Sequence, residues 1–252
     1  RTPVRRETHM KKMTCSVALL AVVLFCVPAR SAGKDSSAQA LKQQERYTVS
    51  LALEFRKKDQ NNFEKVLAFL NQAGPNGFAT GFVVGEGLVM TAYHVVSGDL
   101  GDSKKRVLGF SPLDELEVRV FVNGCKATVI KVDKEADLAL LDVCDSVKQS
   151  RVPSFQTSVT KDERIVLIAS PHGYKIVSRG VFHGPYTLRG LEYLSAKMEA
   201  RDGYSGSPVY NQNAEVVGVF SGYDWTKKVA LITPGERAQK LLSDYTSEPK
   251  TK

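Results

Sequence analysis

Several things are scarce in this chain. There is one tryptophan and there are four cysteines and four histidines in 252 residues. Two of the cysteines, Cys15 and Cys26, fall in an N-terminal leader, which leaves Cys125 and Cys144. Two cysteines cannot staple a domain of this size, so the fold has to rest on a buried apolar core. The longest apolar run, 17–27, is about 11 residues, short of the roughly 20 a membrane-spanning helix needs. No basic stripe with interleaved aromatics appears, which argues against nucleic acid as a partner. No internal repeat appears, and no alternation of strand with helix that a parallel sheet would require.

The net charge of +8 is largely a property of the leader. Arg1, Arg5, Arg6, Lys11, Lys12 and Arg30 lie in the first 31 positions against Glu7 alone. The remainder carries 29 basic and 26 acidic residues, near +3. Met10-Lys11-Lys12 begins a charged segment, 17–27 follows as an apolar segment, and Ala29-Arg30-Ser31 fits a small-x-small cleavage site. The expected start is Met10, and 1–31 reads as a leader with a signal peptide. An N-terminal membrane anchor is the alternative; after cleavage no stable anchor is expected. The predicted location is outside the cytoplasm, periplasmic or secreted. In that setting Cys125 and Cys144 can pair across a predicted hairpin turning at 133–136, or remain two buried thiols.

Residues 32–46 are small and polar and read as a flexible linker. Residues 47–72 fit two periods. Tyr47, Val49, Leu51, Leu53 and Phe55 alternate as in a strand, while Tyr47, Leu51 and Phe55 also make an i, i+4 stripe. The helical reading is favoured, with 62–71 as its best part through Phe63, Val66, Leu67 and Leu70. Residues 32–75 are thus assigned to a linker and helical extension.

From Phe78 the pattern is β-rich. Short runs recur at 79–84, 88–92, 118–122, 127–132, 138–143, 165–169, 181–183, 193–198, 208–210, 216–220 and 229–232. Many short strands between turn signals mean an all-β sandwich or barrel. A closing helix is predicted over 234–244, with Thr233 as N-cap, Pro234 first and Glu236 completing a capping box.

Three segments carry chemistry. Ser205 stands in Gly203-Tyr204-Ser205-Gly206-Ser207-Pro208. A serine hydroxyl is a weak nucleophile unless a base sits within reach and a third group orients that base. His94, after the run 88–92, is the candidate base. Asp137, opening the apolar run 138–141, is the candidate orienting acid, with Asp133 and Asp142 as rivals. The amides of Gly203 and Ser205 are the candidate oxyanion hole. His172 and His183 read as loop residues. The order histidine, aspartate, serine excludes an α/β-hydrolase, which runs serine, acid, histidine around Gly-x-Ser-x-Gly.

Thr91-Ala92-Tyr93-His94-Val95-Val96, Asp137-Leu138-Ala139-Leu140-Leu141 and Gly203-Tyr204-Ser205-Gly206-Ser207-Pro208-Val209 resemble the trypsin-like, chymotrypsin-fold serine peptidases. The nearest branches are the bacterial Deg-type periplasmic proteases and the glutamyl endopeptidases. The resemblance covers about 76–242 and implies a protease domain over 76–252. It would hold two six-stranded antiparallel β-barrels divided near 150–162, after an N-terminal helical segment and before the C-terminal helix. It implies that 81–84 opens the first barrel and that Ser221 hydrogen-bonds Asp137. It also implies that Phe220, Ser221, Gly222 and Tyr223 line the substrate pocket.

The residue six before the nucleophile, Glu199, falls by count at the pocket base of pancreatic-type enzymes; a surface strand position is the alternative. Tyr204 stands where those enzymes carry the aspartate of their activation switch, so no such switch is expected. The PDZ domain usual in Deg-type proteins is not expected. No histidine lies between His183 and Ser205, which argues against glutamyl specificity. The reading is an exported endopeptidase acting on polypeptides, with no metal or cofactor. The alternative is a resting-inactive or non-catalytic module of the same fold that binds extended peptides. Oligomeric state is not legible.

Overall fold

The computed structural model describes residues 32–60, 74–144 and 152–248. The leader (1–31) and the helix expected at 62–71 lie outside the described residues. Twelve strands among the described residues close two antiparallel barrels. The first holds β1 (Thr48–Lys57), β2 (Gly77–Gly85), β3 (Leu88–Ala92), β4 (Leu116–Val122), β5 (Cys125–Asp133) and β6 (Leu138–Asp142), in the closed order β1-β2-β3-β6-β5-β4. The second holds β7 (Arg164–Ala169), β8 (Ile176–Leu188), β9 (Leu191–Lys197), β10 (Pro208–Tyr210), β11 (Val216–Asp224) and β12 (Val229–Pro234), in the closed order β10-β11-β12-β9-β8-β7. The fold is chymotrypsin-like.

Each barrel interior is filled by every second side chain of its strands. Leu51, Leu53, Phe55, Val83, Val89, Val120 and Leu141 fill the first. Ile165, Leu167, Ala196, Val209, Val217 and Ile232 fill the second. A third cluster joins the barrels: Phe82, Met90, Leu138 and Leu140 meet Val166, Ile168, Tyr210 and Val219. Into it the helix α4 (Gly235–Ser247) inserts Ala238, Leu241 and Leu242. Outward residues of the central strands are therefore buried too, and β2 is buried over seven consecutive positions.

Three expectations are corrected. Residues 48–57 form a strand, not a helix, so the first barrel begins well before 76 and 81–84 belongs to its second strand. The stripe Tyr47, Leu51, Phe55 is shared by both periods, so periodicity could not decide. Barrel closure does, because β1 is hydrogen-bonded to β2 on one side and to β4 on the other. Residues expected as a flexible linker form α1 (Ala32–Gln44), which docks through Leu41 and the buried Gln44. Finally, α4 begins at Gly235 after Pro234 and no side chain caps it. The Thr233 hydroxyl donates instead to Ala136 O, at 2.7 Å. A buried hydroxyl at the end of a strand finds its acceptor across the barrel interface sooner than at its own helix.

Candidate active site

β3 ends at Ala92, and the chain turns at once into the short helix α2 (Tyr93–Val96), which carries His94 and is followed by α3 (Asp102–Val107). The β5–β6 turn carries Asp137. Its tightness comes from Asp133, whose Oδ1 accepts from Ala136 N at 3.0 Å. Asp137 sits at φ +54°, a left-handed conformation that aspartate adopts more readily than most residues. The two segments are stitched by their backbones, with Tyr93 N donating to Asp137 O at 3.0 Å. The Asp137 carboxylate then holds His94 twice. Oδ1 accepts from the His94 backbone amide at 2.8 Å, and Oδ2 lies 2.8 Å from the imidazole Nδ1. The Asp137 side chain is 15% exposed and that of His94 41%. This fixes the ring, and among the described residues its other nitrogen has no hydrogen-bond partner. Tyr193 lies near; burial first, and the Asp137 charge second, push its phenol above the usual range.

Ser205 sits on a loop bent by two glycines, at φ +87° for Gly203 and +83° for Gly206. A side chain at 206 has no room, since a Cβ there would lie 2.1 Å from Thr91 Oγ1 and 2.2 Å from Thr80 O. The loop is clamped to the first barrel through Thr80. Its amide donates to Ser205 O at 3.0 Å, and its hydroxyl donates to Gly203 O at 2.8 Å while accepting from Ser170 N at 3.0 Å. Gly206 N and Phe220 N tie the loop to β11. Tyr204 is buried in the second barrel core, and burial pushes its phenol up. Among the described residues, the amides of Gly203 and Ser205 have no protein acceptor.

His94, Gly203, Ser205, Phe220, Ser221, Gly222 and Tyr223 line one cleft of about 260 Å³ between the barrels. Phe55, Phe78, Lys104 and Trp225 add to its walls, and Tyr223 and Trp225 pack with ring centroids 4.6 Å apart. His172, expected as a plain loop residue, packs against Phe78 with ring centroids 4.0 Å apart and the planes tilted by 48°.

Glu199 is not in the cleft lining. Its exposed carboxylate accepts from Arg201 Nε at 2.9 Å, because the chain leaving β9 turns it to solvent. The pocket-base role is therefore corrected to the surface position. Ser221 does not bond Asp137 either; its hydroxyl lies 2.9 Å from Thr233 Oγ1. Thr233 spends its only proton on Ala136 O, so Ser221 is the donor of that pair. Cys125 and Cys144 are joined by a disulfide, with Cα atoms 6.2 Å apart. No cluster of three metal-ligating side chains occurs among the described residues.

Sequence reasoning missed the support of the Asp137 turn. Arg237 of α4 donates from Nη2 to Asp133 Oδ2 at 2.8 Å and Oδ1 at 3.1 Å. Thr80 was missed too. Neither residue stands in a motif, and each acts on a segment more than 100 positions away.

Residues 79–219 match the trypsin-like peptidase domain, over more than half of the chain. The chain belongs to the trypsin-like peptidase family. Serine protease HTR4 of Rattus norvegicus is 25% identical over 190 residues, covering 69% of this chain and 35% of that protein. Serine protease HTRA1 of Xenopus tropicalis is 26% identical over 201 residues, covering 74% and 40%. The chain thus spans about 35–40% of the length of these curated relatives. Among solved structures, the active form of the Rv3671c protease from M. tuberculosis superposes with a TM-score of 0.58 at 19% identity, covering 84% of this chain and 86% of that one. Deg5 gives 0.56 at 15%, covering 84% and 94%. At these identities the likeness is one of fold.

Proposed function

We propose that this trypsin-like peptidase domain is a serine endopeptidase in which Ser205, His94 and Asp137 act as nucleophile, base and orienting acid. The observation that carries the reading is the double grip of Asp137 on His94 within a cleft that also holds Ser205 and two unaccepted amides. Asp137 keeps the proton on Nδ1, so Nε2 is the basic nitrogen. Ser205 Oγ attacks the scissile carbonyl carbon and passes its proton to Nε2. The carbonyl oxygen becomes an oxyanion, and the amides of Gly203 and Ser205 supply its hydrogen bonds. The C–N bond breaks as His94 protonates the leaving amine. Water, deprotonated by His94, then hydrolyses the acyl-enzyme and frees Ser205. Among the described residues Ser205 Oγ has no hydrogen-bond partner. Such contacts in empty sites commonly tighten only when substrate binds.

A polypeptide substrate fits the edge of β11. β10 pairs with β11 only as far as Val219, whereas β12 pairs with it to Asp224. Residues 221–223 therefore keep one backbone edge open beside the cleft, where an extended peptide can add as a strand. The leader argues for export. No helix among the described residues is long and apolar enough to cross a membrane. The test is casein turnover by Ser205→Ala, which should fall by at least about a thousandfold with the fold unchanged. Turnover near wild type would sink the assignment.

A further inference from the structure

A second cavity, larger than the cleft, lies against the outer face of the second barrel, under α1. Its volume is about 650 Å³, within the roughly 300–1,000 Å³ usual for small-molecule sites. Strand register fixes its chemistry. Residues directly opposite in a sheet share a face, and alternate residues along a strand do too. On the outer face of β7 and β8, Arg164 is opposite Val181, Val166 opposite Arg179, and Ile168 opposite Val177. Lys197 of β9 is opposite Val181 on its other side. The face thus has a cationic end, with Arg164, Arg179 and Lys197. It also has an aliphatic end at Ile168 and Val177, flanked by Leu41 of α1.

Charge is unbalanced here. Lys42 joins the three strand cations, and among the described residues Glu45 is the one acid of the lining. Among the described residues, none of these four cations makes an ion pair or a side-chain hydrogen bond. Elsewhere pairing is common: Arg56, Arg119, Lys131, Arg201, Arg237 and Lys240 each meet a carboxylate. Like charges gathered on one face without a counterion repel one another, and a bound anion would relieve this.

The occupant's class follows. β7 and β8 are paired on both sides, so the barrel offers no free edge for a peptide backbone. Among the described residues the lining has no aromatic ring on which a base or sugar could stack. What remains is a molecule with one anionic head and one aliphatic tail. We propose that this groove binds a single-chain alkyl carboxylate, a fatty acid, with its head between Arg164, Arg179 and Lys197 and its tail against Val177, Ile168 and Leu41. The site is separate from the cleft and stands whether or not Ser205 is catalytic.

The test is isothermal titration of the full chain with sodium dodecanoate below its micelle concentration, with melting curves to establish folding. One saturable site is expected. Decanoate should bind about 15-fold more weakly, from roughly 0.8 kcal/mol for each buried methylene. Dodecan-1-ol, which lacks the charge, should bind at least tenfold more weakly. Arg164→Glu/Arg179→Glu and, separately, Lys197→Glu should each lose at least tenfold, whereas Arg119→Glu on the first barrel should lose nothing. No saturable binding at millimolar dodecanoate would overturn the proposal. So would equal loss in Arg119→Glu, full affinity in both groove variants, or an acidic peptide that displaces dodecanoate and binds more tightly.

Discussion

Arg237→Ala is predicted to slow turnover from a position that touches neither substrate nor any member of the proposed triad. Arg237 holds Asp133 with two hydrogen bonds from Nη2, and Asp133 Oδ1 also caps Ala136 N. Asp137 follows directly at φ +54°, which costs on the order of 1 kcal/mol relative to right-handed backbone. Outside restraint therefore keeps its carboxylate under His94. The Arg237 side chain is 42% exposed and that of Asp133 26%. The pair lies between an exposed ion pair, worth at most about 1 kcal/mol, and a buried charged hydrogen bond, worth about 1.5–3. We take about 1–1.5 kcal/mol. Spent entirely on misplacing the turn, that is about a five- to twelvefold loss.

The loss should appear in kcat with KM unchanged, because the cleft lining is intact. Nitrogen-15 shifts of His94 should show the Nδ1–H tautomer giving way to Nε2–H, a signature that loss of stability alone does not produce. The melting temperature should fall by a few degrees. Lys240→Ala, on the same helix but paired with exposed Asp244, should change none of these. A kcat within twofold of wild type, in a folded Arg237→Ala with an unchanged tautomer, would mean that the Asp137 turn holds its shape without Arg237.

Two further outcomes follow from the same geometry. Gly206→Ala must place a Cβ within 2.2 Å of Thr80 O at φ +83°. It should cost roughly 3 kcal/mol or more in urea unfolding and abolish turnover; near-normal stability would mean the loop is not clamped as described. Cys125→Ser/Cys144→Ser opens a disulfide that spans 19 positions, worth about 3 kcal/mol by loop closure. It joins the hairpin at the end away from Asp137, so stability should fall while turnover per folded molecule stays the same.

More of the candidate site than of the first barrel was legible in the sequence. His94, Asp137 and Ser205 stand in short, dense motifs, because a tight turn, an abutting strand end and a backbone cradle each constrain several adjacent residues. The segment 48–57 has no such motif. Its apolar positions fit helix and strand alike, and its state is set by β2 and β4, whose partners lie up to about 70 positions away. Thr233 misled for a related reason. Thr-Pro-x-Glu is a sound local capping signal, but the hydroxyl is claimed by Ala136 O across the barrel interface. Glu199 was placed by counting from the nucleophile. Counting transfers only where the loop has the same path, and here the chain turns that side chain to Arg201.

The proposed mechanism stands on Ser205 as an activated nucleophile. It is tested most directly by exposing the folded protein to a fluorophosphonate and reading its intact mass and site of attachment. One adduct per chain is expected, on Ser205, absent from Ser205→Ala and strongly slowed in Asp137→Asn. A well-folded chain that stays unlabelled, or that labels equally without Ser205, would contradict it.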